Sequence, residues 1–278
     1  MIMVLHSQEE KNSDNKMSAK PRDGPATSFY ADPMVASIYQ GESDYFDLVL
    51  PAGGPLLLEP EDLKSYADFV TLVQSCLDPE DLQGDQPTAY FYQPDYLHVT
   101  IATLYPIERQ KASVDYDGIK EHFKRLLQAA SQRPEWPQEP LELQIGSAQL
   151  GSKAGIILWR EVTGGMANIR QCLVATEKEQ SDDNTPWKIH SIPGIIHTSF
   201  LRFASEPTTN GGTLQEQFQQ KVLPAIHGIF PRKVLVSKVH LVCETTPYMR
   251  VPMDDQHVVW ATDLSASKDS NKVIPPNP

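Results

Sequence analysis

Apolar residues along the chain recur either at every second position or at every third and fourth, the two spacings by which strands and helices turn one face to a core. MVASIY (34–39) and DLVLP (47–51) read as short strands. EPEDLKSYADFVTLVQSCL (59–77) has an acidic start and a proline in its first turn. Leu63, Tyr66, Phe69, Val70 and Val73 give it the stripe of an amphipathic helix. AYFYQPDYLHVTIATLY (89–105) is a β-rich run broken by Pro94. DYDGIKEHFKRLLQAAS (115–131) carries a helical stripe of Ile119, Phe123, Leu126 and Leu127, with His122 beside it and expected to face solvent.

LELQIGSAQLG (141–151) and AGIILWREV (154–162) predict a hairpin turning at Ser152 and Lys153, and GGMANIRQCLVATEKEQ (164–180) a helix. IIHTSFLRFA (195–204) predicts a strand, LQEQFQQKVLPAIHG (214–228) a helix, and VLVSKVHLVCET (234–245) and HVVWATDL (257–264) further strands. The expectation is an α+β fold of two pseudo-symmetric lobes over residues 29–263, each an antiparallel sheet with helices outside. Each half of the chain supplies one histidine-bearing strand followed by a helix. Residues 1–28 and 264–278 lack apolar periodicity and read as disordered tails.

Composition narrows the class. Of 278 residues, 40% are hydrophobic and 22% charged, which fits a folded globular protein. Lys and Arg number 24 against 36 Asp and Glu, so the formal charge is −12. That excludes an extended nucleic-acid surface while leaving room for a local anion site. Cys76, Cys172 and Cys243 are too scattered for a disulfide framework, and reduced thiols are expected. The start turns polar after five residues and no apolar run reaches membrane-spanning length, so a cytoplasmic or nuclear monomer without signal peptide or membrane contact is expected.

Two of the strands carry the same small pattern. Leu97-His98-Val99-Thr100-Ile101 and Ile196-His197-Thr198-Ser199-Phe200 each set a histidine and a hydroxyl two residues apart between apolar neighbours. On a strand, His98 and Thr100 share one face, as do His197 and Ser199. If the lobes face each other, two imidazoles and two hydroxyls converge on one site. They provide an acid, a base and two neutral donors, a set suited to a phosphodiester. His190 with His98 and His197 would make a three-histidine zinc set. No short-spaced His pair or HExxH pattern supports one, so neither metal nor cofactor is expected. Tyr92 and Tyr96 share the parity of His98 and are candidates for base stacking. Arg202 has the parity opposite to Ser199, which turns it away from a phosphate unless a bulge intervenes. His240 and His257 read as single strand histidines at a sheet edge and stay outside the site.

The paired motif resembles the 2H phosphoesterase superfamily, defined by two His-x-Thr/Ser motifs on two pseudo-symmetric lobes, and the resemblance in element order extends over roughly residues 30–263. Members include RNA 2′,3′-cyclic phosphodiesterases, 2′,5′ RNA ligase-like proteins and an exonuclease that trims RNA 3′ ends. The resemblance implies metal-independent hydrolysis of a 2′,3′-cyclic phosphate or related small nucleotide phosphodiester. His98 and His197 would exchange acid and base roles, and Thr100 and Ser199 would hold the phosphate. His197 is expected as the base and His98 as the acid. An RNA 3′-end processing exonuclease or ligase-like enzyme, and a catalytically idle scaffold of the same fold that binds a nucleotide or protein, are the alternatives.

Overall fold

The computed structural model describes residues 45–51, 60–84, 87–106, 115–180, 187–229, 233–244 and 254–264. The expected strand at 34–39, the tail over 1–28 and the tail beyond residue 264 lie outside them. Leu264 itself is buried, and its backbone N–H donates to the Ser237 carbonyl at 2.6 Å, so the folded body extends one residue into the expected tail.

Nine strands are described: β1 (Tyr45–Pro51), β2 (Ala89–Phe91), β3 (His98–Tyr105), β4 (Leu141–Leu150), β5 (Ala154–Glu161), β6 (His197–Phe203), β7 (Val234–Val236), β8 (Lys238–Glu244) and β9 (Val258–Asp263). They form a four-stranded sheet in the order β3-β1-β8-β9 and a five-stranded sheet in the order β2-β6-β5-β4-β7. Every neighbouring pair is antiparallel. The helices are α1 (Pro60–Gln74), α2 (Tyr116–Ser131), α3 (Gly165–Gln180), α4 (Gly211–Gln217) and α5 (Leu223–Ile229), the last two joined by a π turn at Phe218–Val222. Pro224 lies just past that turn. A proline there removes one i→i−4 bond and crowds the carbonyl four residues back, which favours the wider turn.

Each sheet buries one face against two helical segments. Ile119, Phe123, Leu126 and Leu127 of α2, with Ile169 and Leu173 of α3, cover Val99, Ile101 and Leu241 of the first sheet. Tyr66, Phe69 and Val73 of α1, with Leu214, Phe218 and Ile226 of the α4–α5 run, cover Ile157, Phe200 and Phe203 of the second. The stripes read from the sequence are thus the stripes that are buried. His122 departs from expectation. It is half-buried, its ring 5.7 Å from that of Trp187, and among the described residues its Nε2 has no hydrogen-bond partner. A loop distant in sequence covers the helix where local periodicity shows only its edge.

The two motif strands do sit one in each sheet, but the sheets are not successive halves of the chain. β2 belongs with the second sheet although it precedes β3, and β8 and β9 return to complete the first. The helix α1 follows β1 of the first sheet and packs on the second. A buried carboxylate ties this crossing together: Asp81 accepts from the backbone N–H groups of Thr208 and Thr209 and from the Thr209 hydroxyl.

Phe200 fills the space over Gly155 on the neighbouring strand, and a Cβ at Gly155 would run into the Phe200 ring. Gly155→Ala should therefore destabilise the protein by about 1–3 kcal/mol, the usual cost of overpacking. Urea denaturation monitored by circular dichroism measures it, and an unchanged midpoint would mean that the ring moves aside freely.

Candidate functional site

The candidate site rests on two strands built to the same plan. In β3, Val99, Ile101, Ala102 and Leu104 are buried while His98, Thr100 and Thr103 are half-exposed. In β6, Thr198, Phe200, Leu201 and Phe203 are buried while His197, Ser199 and Arg202 are half-exposed. Each strand breaks its alternation at the same place. Leu48 pairs with Ala102 and Val49 with Thr100, leaving Ile101 as an extra residue. Gly155 pairs with Leu201 and Ile156 with Ser199, leaving Phe200 as the extra one. These bulges let two successive apolar residues face the helices and return the next polar residue to the inner face.

The inner face of β6 therefore presents His197, Ser199 and Arg202 together. The bulge that the parity argument required is present, and the Arg202 Nη2 lies 3.5 Å from the Ser199 Oγ. The equivalent position in the other strand is Thr103, so of these two matched positions one carries a charge and the other a hydroxyl. The Arg202 guanidinium also hydrogen-bonds the Tyr92 hydroxyl, and the buried Glu244 carboxylate stands close enough to Tyr92 to act on it electrostatically. Burial, the largest influence, pushes the Tyr92 hydroxyl well above the ordinary tyrosine range, so it remains a neutral partner for the arginine. Tyr92 is 3% exposed, and its ring meets Tyr90 edge-on. This corrects the stacking expectation for Tyr92: its ring is core and its hydroxyl braces Arg202. Tyr96 is half-buried and packs against the core beneath the second sheet.

His98 is oriented by its own chain. The residues Pro94–Tyr96 form a 3₁₀ turn, and the Tyr96 carbonyl accepts from His98 Nδ1 at 2.8 Å. A carbonyl can only accept, so Nδ1 carries the proton and Nε2 presents a lone pair in the neutral ring. Burial lowers the His98 pKa to about 4; the bond to Tyr96 opposes this, and His197 and Arg202 add to the lowering. The last two influences place His98, His197 and Arg202 within electrostatic reach of one another, although they come from separate sheets. The site thus holds a neutral imidazole ready to accept a proton, a second imidazole, two hydroxyls and a guanidinium.

The other histidines are placed as follows. His190 is exposed, and its backbone N–H donates to Thr103. His257 pairs with Asp254 at 2.7 Å in the turn before β9. Among the described residues no group of three or more His, Cys, Asp or Glu is arranged to hold a metal ion, and no helix is long and apolar enough to cross a membrane. Arg202 and Glu244 are neighbours of the candidate site that alternation alone does not find, and for Tyr92 alternation finds the residue but not its contact with Arg202. The available signal was the adjacent apolar pair Phe200-Leu201, matched by Ile101-Ala102, which breaks the period in both motifs.

The His98 ring should titrate near pH 4 in the folded protein, against about 6.5 when unfolded. Between these values the unfolded chain binds more protons, so His98's contribution to stability is complete above about pH 6.5 and declines as the pH falls toward 4. Histidine NMR titration measures the midpoint, and His98→Asn should lessen the acid-side loss of stability. A midpoint near 6.5 would overturn the buried, neutral assignment.

No family model and no curated protein matches the chain. Among solved structures, E. coli LigT complexed with 3′-AMP is similar at 14% identity, over 81% of this chain and 100% of LigT, with a TM-score of 0.42. Kluyveromyces marxianus Usb1 with uridine monophosphate is similar at 10% identity, over 76% of this chain and 99% of Usb1, with a TM-score of 0.42. A phosphoesterase is similar at 15% identity, over 81% of this chain and 100% of its own, with a TM-score of 0.43. In its paired His-x-Thr/Ser strands, carried on two antiparallel sheets with helices outside, the chain resembles the 2H phosphoesterase superfamily.

Proposed function

We propose that the protein is a phosphodiesterase that hydrolyses a 2′,3′-cyclic phosphate or a related small nucleotide phosphodiester by two-histidine acid–base catalysis, without a metal. The observation that carries this reading is the meeting of the two His-x-Thr/Ser strands, with Arg202 brought beside Ser199 by a bulge. Thr100, Ser199 and Arg202 hold the nonbridging oxygens, where charge builds in the transition state. His98 Nε2 takes a proton from the attacking water as the new P–O bond forms. Protonated His197 gives its proton to the ribose oxygen as the old P–O bond breaks. This reverses the order expected from the sequence. The Nδ1–H bond to Tyr96 and the lowered pKa favour His98 as the base, which leaves the acid to His197. The half-buried Tyr96 ring is kept as a stacking surface for the base.

His98→Ala and His197→Ala should each lower kcat by about 100-fold or more, and the double variant by less than the product. Thr100→Ala, Ser199→Ala and Arg202→Lys should each cost about 10- to 1000-fold. Activity should persist in EDTA; its loss, with rescue by zinc or manganese, would replace the two-histidine account with a metal site. Steady-state kinetics on nucleoside 2′,3′-cyclic phosphates measures all of these.

A small-substrate site on a chain of charge −12 makes one or two phosphate contacts. The log–log slope of kcat/KM against salt should then fall between about −0.7 and −1.5, against about −4 for six contacts to a single strand. A steep slope with strong preference for an oligonucleotide over a mononucleotide would move the assignment to RNA 3′-end processing.

A further inference from the structure

The inner face of the second sheet continues past the motif strand. Ser199 and His197 of β6 are paired with Ile156 and Leu158 of β5, and these in turn with Gln149 and Ser147 of β4. Residues paired across strands point the same way. Two rows, Ser199-Ile156-Gln149 and His197-Leu158-Ser147, therefore run side by side away from the candidate site, each spanning about 10 Å at the usual strand spacing. Both rows are open along their whole length: Gln149 is exposed and the other five residues are half-exposed. The helices cover the opposite face, where Ala148, Leu150 and Ile157 are buried among them.

When an antiparallel sheet packs one face on helices, the residues on its open face are as a rule polar. Ile156 and Leu158 are not, and among the described residues neither joins the apolar clusters that form the core. Together they make an aliphatic floor beside His197 and Ser199. Past the floor come an amide and a hydroxyl, both neutral, and Arg160, the next residue on this face of β5, is taken up by the Gln144 side chain at 2.5 Å. Nothing beyond His197 in the two rows carries charge, so the rows do not suit a second phosphate. An occupant joined to a phosphate at Ser199, one strand spacing across, apolar on its underside and hydroxylated at its rim has the make-up of a sugar ring. Resting on the phosphodiesterase reading above, we propose that Ile156 and Leu158 form the subsite for the ribose of the bound nucleotide, with the Gln149 side chain hydrogen-bonding its outer edge.

The test compares the wild type with Ile156→Thr, Leu158→Thr, Leu158→Met and Gln149→Ala on nucleoside 2′,3′-cyclic phosphates and on ethylene phosphate, a cyclic diester without sugar or base. Melting temperatures check folding, and Gln149 is exposed, so its variant keeps the fold in any case. Ile156→Thr and Leu158→Thr should each lower kcat/KM on the nucleotides by about 10- to 100-fold, mainly through KM, as expected where apolar contact in a binding pocket is lost. Leu158→Met, which stays apolar, should remain near the wild type, and Gln149→Ala should cost about 5-fold, one hydrogen bond's worth. Ethylene phosphate does not reach the floor, and its turnover should be unchanged in every variant. Unchanged kinetics on the nucleotides in folded Leu158→Thr and in Gln149→Ala, or an equal loss on ethylene phosphate, would overturn the subsite. If the wild type turns over neither ester, the phosphodiesterase reading fails instead, and calorimetry decides on the subsite. A nucleoside 3′-monophosphate should then bind the wild type more tightly than inorganic phosphate and lose that advantage in Leu158→Thr; equal affinities in the wild type would overturn it.

Discussion

A strand that packs one face on helices can offer polar groups only from alternate residues, and each motif strand here interrupts that alternation just after its His-x-Thr/Ser pair. Without the extra residue at Phe200, Arg202 would point toward Phe69 and Phe218, beneath α1 and the π turn. A guanidinium there would lose its hydration with no partner in reach, at a cost of several kcal/mol. With the bulge, Phe200 and Leu201 both join the core and the guanidinium meets Ser199 and Tyr92. The matching bulge at Ile101 turns Thr103 inward in the other strand, where its backbone N–H and carbonyl bond the 190–191 segment. The same backbone device on both sides supplies a cation on one side only, which makes the two halves of the site chemically unequal.

The interleaved topology makes this geometry a property of the whole chain. The wall carrying His98 depends on β1 pairing with β8, across nearly two hundred residues of sequence. The wall carrying His197 is backed by α1, whose chain comes from beside β1. Asp81 fastens the segment after α1 to the loop before α4 through three hydrogen bonds. Neither wall can form from local sequence alone. Most of the ordering entropy of the site is thus spent during folding and would not be charged to binding of the proposed phosphodiester.

The parts of the site legible in the sequence are those set by local period. His98 and Thr100, like His197 and Ser199, share a face because strands alternate, and the stripes of α1 and α2 are buried because helices have a fixed pitch. What could not be read depends on partners. The sheet to which a short strand such as β2 belongs is decided by pairing with β6. His122 is covered because Trp187, 65 residues later, folds over it. Tyr92 and Tyr96 look alike by parity, yet Tyr92 is buried in the core while Tyr96, at the end of the 3₁₀ turn, only packs partly buried against that core.

The lowered pKa of His98 bears on its proposed role, because a base whose conjugate acid has a pKa near 4 is fully available at neutral pH but weak. The causes of the lowering indicate how the balance changes on binding. Burial disfavours the imidazolium because no countercharge compensates for lost water, and Arg202 adds to that penalty. A phosphodiester seated at Thr100, Ser199 and Arg202 brings the missing negative charge. It would offset the Arg202 field and stabilise a proton on either ring, raising both histidines toward the working pH. The bond from Nδ1 to Tyr96 favours the protonated ring throughout, so it assists the transfer as it proceeds. On the proposed mechanism the free site keeps His98 deprotonated, and the charge of a bound phosphodiester would make it a competent base.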